Sequence, residues 1–260
     1  MLGLFDSGLG GLTVVRRVRA LLPDHALLFL ADQAHVPYGD RAPDDLHRLL
    51  VQNVRWLDEQ GAEAIVMACN TSCAIAAEYG YPQVRGPILD LIESAAIAIH
   101  DAGYTRVGVL ATAATVKTGA YAKKIRTLAP HVRVDEVAAP SLVPLVEAGR
   151  IDGDEPRAAV AAACAQLPRD VDAVILACTH YPVLDAHFAT ALGPDVARID
   201  PALEQAGRTA ALVAARSIEA GSGHTRYVTT GDVEAFRTSV HAYMDGTGLA
   251  VERSVIPRAE

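Results

Sequence analysis

The chain has 260 residues, 51% of them hydrophobic and 21% charged, with 31 acidic against 23 basic side chains and a net charge of −8. A chain of this length buries a core that needs neither disulfides nor a structural metal, and it suits one large domain or two. The negative balance argues against a general DNA or RNA binder, whose affinity rests on neutralising phosphates. Four cysteines are too few for a disulfide scaffold. Cys69 and Cys73 have no second pair to complete a tetrahedral metal site. The opening residues Met1-Leu2-Gly3-Leu4-Phe5-Asp6 lack the basic region of a signal peptide. No apolar run reaches the roughly 18 residues of a membrane span, so a cytoplasmic protein with reduced thiols and no membrane partner is expected. The only lysines, Lys117, Lys123 and Lys124, fall in one short segment, which leaves little choice of a Schiff-base lysine for pyridoxal phosphate.

In chain order, Gly3–Asp6 is expected as a strand, Leu12–Leu22 as a helix and Leu27–Asp32 as a strand. Asp44–Gln60 follows as a helix, then Ala64–Cys69 and Ile88–Ile92 as strands. Arg106–Thr112 and Val132–Val137 are further strands, Pro156–Gln166 is a helix, and Ala173–Cys178 and Ala197–Asp200 are strands. Runs such as Ile65-Val66-Met67-Ala68 are apolar throughout, as in a parallel sheet covered on both faces. Asp44 and Asp45, and later Asp154, Glu155 and Pro156, crowd the helix starts where acids and proline belong. The pattern is α/β with right-handed crossovers.

The chain also echoes itself. Glu63–Thr71 parallels Asp172–His180 at an offset of 109 residues, and a similar offset carries Gly3–Ser7 onto Gly108–Thr112. Two related α/β halves explain the echo, with the C-terminal stretch left over.

Ligands of parallel α/β sheets bind beyond the carboxyl ends of the strands. Those ends read Asp6-Ser7-Gly8-Leu9-Gly10-Gly11, Cys69-Asn70-Thr71-Ser72 and Cys178-Thr179-His180-Tyr181-Pro182, each opening a helix. The glycine segment partly imitates a dinucleotide fingerprint with Asp32 downstream. Its third glycine is Thr13, however, and Asp6 would stand beside the pyrophosphate, so a tight turn is the better reading. Cys73 and Cys164 read as small core hydrophobes. Cys69 and Cys178 each end a strand against a helix N-terminus, where the dipole is expected to lower a thiol's pKa. Placed by two pseudo-symmetric halves, the two thiols should face one cleft. Such a pair, in no CxxC, suits acid–base work at a carbon: a thiolate removes a proton from one face and a thiol supplies one to the other. Asp6 and His180 could assist the two thiols. Backbone N–H groups at Asn70-Thr71 and Thr179-His180 would bind a carboxylate.

These residues resemble the glutamate racemases of the aspartate/glutamate racemase superfamily. The resemblance runs nearly end to end through Asp6–Gly11, Pro37-Tyr38-Gly39, Ala68–Thr71, Thr115–Tyr121, Val143–Glu147, Ala177–Pro182, and Thr229–Asp232 with Phe236-Arg237. It implies a cofactor-free, metal-free isomerase that supplies D-glutamate for peptidoglycan, with Cys69 and Cys178 as the two bases and Asp6, Glu147 and His180 as supporting polar residues. It places substrate contacts at Asp6, Ser7, Tyr38, Gly39, Asn70, Thr71, Thr179 and His180, with Thr115 and Thr118 as further candidates. The implied fold has two pseudo-symmetric flavodoxin-like parallel-sheet domains facing each other across a buried active-site cleft. Residues 1–95 with 206–260 form one and 96–205 the other, in a homodimer. Asp90–Ala95 departs from the family pattern near the crossover between halves, and Ala177 stands where glycine is common. Asp6 lies so near the start that no precursor-sensing extension is expected. Aspartate or another amino-acid-like substrate such as a hydantoin stays open at this point, as do an amino-acid sensor, a binder of some protein partner and a nucleotide-dependent oxidoreductase.

Overall fold

Apolar strand residues buried on both faces dictate the architecture. The computed structural model describes residues 1–244, 250–254 and 256; the remainder of the 206–260 segment lies outside them. The first part of the chain runs β1 (Leu2–Asp6), α1 (Leu12–Leu21), β2 (Leu27–Ala31), α2 (Pro43–Glu59), β3 (Ala64–Met67), α3 (Asn70–Tyr79), β4 (Ile88–Asp90) and α4 (Leu91–Ala102). The second repeats the plan with β5 (Arg106–Ala111), α5 (Ala113–Thr118), α6 (Ala120–Leu128), β6 (Arg133–Ala138), α7 (Leu142–Glu147), α8 (Asp154–Cys164), β7 (Ala173–Ala177), α9 (Asp185–Leu192) and β8 (Ala197–Ile199). The chain closes with α10 (Pro201–Arg216), β9 (Thr225–Thr229), α11 (Val233–Tyr243) and β10 (Val251–Arg253).

Every strand pairing is parallel. The first sheet has the order β10-β9-β2-β1-β3-β4 and the second β6-β5-β7-β8. The order 2-1-3-4 in the first sheet therefore recurs as 6-5-7-8 in the second, the structural form of the sequence echo. Asp6 pairs with Ala31 and Phe5 with Met67, so the ends of β1 and β3 lie side by side. The pairing of Ala111 with Ala177 does the same for β5 and β7.

Among the described residues, two strands escaped sequence reading. β9 adds to the free edge of β2, with Leu27 opposite Thr225 and Ala31 opposite Thr229, and β10 adds outside it. The C-terminal stretch thus returns to the first sheet. β9 mixes Thr and Arg with its apolar pair Tyr227-Val228, and β10 has three residues of which only Val251 is buried, so both lack the apolar run that marks the interior strands. The strand expected over Ile88–Ile92 stops at Asp90, whose carboxylate accepts from Glu93 N at 2.8 Å and caps α4.

That departing segment builds the joint between the halves. α4 packs on α10. Ser94 donates to Gln205, Arg208 donates to Ser94 Oγ at 2.8 Å and pairs with Glu93, and Gln205 reaches Met67 O at 3.5 Å. Ala177 is fully buried at the end of β7.

Phe236 of α11 is fully buried against Phe29 of β2, ring centroids 6.3 Å apart, and pins the C-terminal stretch to the first sheet. Phe236→Ala should lower unfolding stability by about 3–5 kcal/mol, as removal of a large core side chain does. Urea denaturation followed by the fluorescence of Trp56 measures it.

Candidate active site

The carboxyl ends of the two sheets meet around a small, partly open cavity of about 40 Å³. Cys69 and Cys178 both line it, together with Asp6, Ser7, Tyr38, Gly39, Asn70, Thr71, Thr179 and His180. Among the described residues, no lysine or arginine lines this space, and no group of three His, Cys, Asp or Glu side chains is placed to hold a metal.

On the first side, Asp6 has no exposed surface. Its Oδ2 accepts from Gly11 N at 2.5 Å and from Thr179 Oγ1 of the other half at 3.3 Å. Both contacts need glycines: a Cβ on Gly11 would lie 2.4 Å from Asp6 Cβ, and one on Gly10 2.9 Å from the Thr179 carbonyl carbon. Burial raises the Asp6 pKa, against the pull of His180 and the hydrogen bonds from Ser7 and Gly11. Cys69 caps α3, its sulfur accepting from Ser72 N at 3.5 Å and lying 3.7 Å from Ser7 Oγ.

The expected depression of the Cys69 pKa is corrected here. Burial first, and then the charge of Asp6, push it up to about 12, outweighing the hydrogen bonds at the helix start. The backbone expected behind Cys178 also differs. No α-helix opens directly behind it; a 3₁₀ turn over Tyr181–Leu184, with Pro182 inside, comes first. The neighbour that matters is instead His180, whose Nδ1 lies 3.6 Å from the Cys178 sulfur and whose Nε2 lies 2.5 Å from Glu147 Oε1. Burial disfavours a charged ring, but Cys178 and Glu147 overcome it and raise the His180 pKa well above its ordinary value. Glu147 stands behind His180, outside the cavity wall.

The halves also stitch to each other across the cavity. Thr71 Oγ1 and Thr112 Oγ1 are 3.0 Å apart, and Thr115, fully buried, bonds to both from behind at 3.5 and 3.0 Å. Thr115 thus supports the wall without forming it. Thr118 lines a neighbouring cleft with Lys117, its hydroxyl donating to Thr115 O at 2.7 Å. Asn70 accepts from the buried Tyr121 hydroxyl. Tyr38 donates to Asp32 Oδ2 at 2.6 Å and accepts from Asn53 Nδ2 at 3.0 Å; burial and then Asp32 hold its pKa well above the ordinary tyrosine value.

Sequence reading missed several neighbours. Thr112 is the counterpart of Ser7 in the repeat and could have been found that way. Pro140, Val143 and Pro144 complete the second half's wall, in a segment whose glutamate alone was singled out. Asp32 and Asn53, which hold Tyr38, left no local signal beyond the misleading fingerprint.

The sequence matches a model of the Asp/Glu/Hydantoin racemase family over residues 12–214. The glutamate racemase of Gloeobacter violaceus is 38% identical over 247 residues, spanning 94% of this chain and 92% of that protein. The crystal structure of glutamate racemase isoform RacE1 from Bacillus anthracis superposes with a TM-score of 0.92 at 28% identity, covering 100% of this chain and 98% of that one. The glutamate racemase of Francisella tularensis in complex with D-glutamate superposes with a TM-score of 0.87 at 26% identity, covering 98% and 97%.

Two titrations check the electrostatics. Asp6→Asn removes a negative neighbour from Cys69, so its thiolate should form at a lower pH than about 12, read by thiolate absorbance in the Cys178→Ala background. Glu147→Gln removes one of the groups that stabilise the His180 cation, so its ring should lose its proton at a lower pH, read by histidine NMR.

Proposed function

This chain belongs to the Asp/Glu/Hydantoin racemase family, and from that premise we propose that it interconverts L- and D-glutamate by proton transfer at Cα between Cys69 and Cys178. The observation that carries this reading is the placement of both thiols, from equivalent strand ends of the two halves, on one cavity. A thiolate on one face of the substrate takes the α-proton, breaking C–H and forming S–H. The thiol on the other face gives up its proton and forms the new C–H bond. The product has the opposite hand, and the two sulfurs have exchanged protonation states, ready for the reverse reaction.

The surrounding groups divide this work. His180, holding a proton between Cys178 and Glu147, supplies a positive charge next to that sulfur and near the carbanion that develops at Cα. Asp6, beside Cys69, opposes the loss of its proton, so on this side the thiol form dominates until substrate enters. With no lysine or arginine on the wall among the described residues, the carboxylates of glutamate are received mainly by neutral donors: the hydroxyls of Ser7, Thr71 and Thr179, the Asn70 amide, and N–H groups at the start of α3. Tyr38 and Gly39 complete the lining.

The same reading divides the chain into 1–95 with 206–260 and 96–205. It assigns a cytoplasmic homodimer that supplies D-glutamate for peptidoglycan. Among the described residues, no helix is long and apolar enough to cross a membrane.

Purified protein in deuterated buffer, given L-glutamate and L-aspartate in separate tubes, tests the reaction. Loss of the α-proton NMR signal and of optical rotation with glutamate is expected. Cys69→Ala and Cys178→Ala should each lower racemisation at least about hundredfold, the scale of one positioned acid–base group. Racemisation at near wild-type rate in either variant overturns the two-thiol mechanism, and turnover of aspartate instead overturns the substrate.

A further inference from the structure

The Thr229-Thr230-Gly231 segment takes no part in the chemistry, yet it reaches the cavity indirectly. β9 lies beside β2 with Thr229 opposite Ala31, so the next residue, Thr230, falls next to Asp32. There the Thr230 hydroxyl donates to Asp32 Oδ1 at 2.8 Å and accepts from Ala34 N at 3.0 Å. Thr229 Oγ1 meets Gln33 Oε1 at 2.8 Å. The other oxygen of Asp32 receives the Tyr38 hydroxyl at 2.6 Å. Asp32 is buried, and among the described residues its remaining partners are His35 and Asn53. A buried carboxylate keeps its donors at short range because each lost partner leaves charge unsolvated. The Tyr38 ring, which lines the cavity, is thereby fixed through its hydroxyl to a strand that enters only from the C-terminal end of the chain.

We propose that Thr230, acting through Asp32, is a positioning residue for the Tyr38–Gly39 wall of the substrate cavity. The proposal rests on the glutamate racemase reading for its kinetic readout alone. Among the described residues the second sheet has nothing equivalent: its β6, the counterpart of β2, is an edge, and Glu147 of α7 pairs there with His180. The Tyr38–Gly39 turn also abuts the other half, since a Cβ on Gly39 would lie 3.1 Å from Thr112 Cβ. A small displacement of this wall alters how the bound substrate is enclosed before it alters the thiols, which sit on different strands.

Thr230→Val removes the hydroxyl at nearly constant volume, Thr230→Ala removes it with a smaller side chain should the first fail to fold, and Thr230→Ser retains it. Two readouts apply. Steady-state kinetics with glutamate should show KM raised about tenfold in the variants lacking the hydroxyl, the scale of a hydrogen bond to a charged group. The kcat should change less, and serine should restore KM. NMR of ring-labelled tyrosine, with the Tyr38 signal assigned by its loss in Tyr38→Phe, should show that signal shifted or broadened without the hydroxyl and restored by serine. A Tyr38 signal and a KM that both stay at wild-type values, with only the melting temperature lowered, overturn the proposal. The NMR readout decides it even if the wild type leaves glutamate unchanged, a result that overturns the assigned reaction instead.

Discussion

Asp6 carries a carboxylate with no exposed surface between two halves of the chain, and the rest of the cavity is arranged around the need to satisfy it. An isolated buried carboxylate is costly, so Gly11 brings its N–H to one oxygen and Thr179 brings its hydroxyl across from the other half. The approach is close enough that neither Gly10 nor Gly11 has room for a side chain. The same charge pushes the Cys69 thiol up and helps to draw a proton onto His180. One buried group thus joins the halves and makes their thiols unlike.

That inequality is a break in the repeat. Where the first half has Asp6 the second has Ala111, and where the first has Thr71 the second has His180. The equivalent cysteines keep their equivalent strand ends, but one neighbours a carboxylate and the other a histidine paired with Glu147. A symmetric site would favour the same protonation state at both sulfurs. The unlike neighbours remove that symmetry at the two strand ends.

The joint formed by α4 and α10 and the return of β9 and β10 to the first sheet complete the frame. The first lays a polar cluster of Ser94, Gln205, Arg208 and Glu93 where the chain passes between halves. The second covers the edge of β2 and places Thr229 and Thr230 against the loop that carries Tyr38. The second reaches the cavity wall through Asp32 and Tyr38.

By itself the sequence determined the α/β class, the interior strands to within a few residues, the repeat, and the two cysteines with Asp6 and His180 at strand ends. These are local facts: an apolar run bounded by small polar residues marks a buried parallel strand, and an echo at fixed offset marks a second copy. The resemblance to glutamate racemases added Tyr38, Gly39 and Glu147, which the local pattern alone does not distinguish. Tertiary structure decided what depends on residues far apart in the chain. It showed that the Cys69 thiol is raised rather than lowered, because burial and a carboxylate 63 positions away outweigh the helix start. It also put a 3₁₀ turn behind Cys178, set Thr115 behind the wall and Thr118 in the next cleft, and laid a polar C-terminal strand on β2. Desolvation and strand addition are settled by what packs around a residue, and the sequence carries no short-range mark of either.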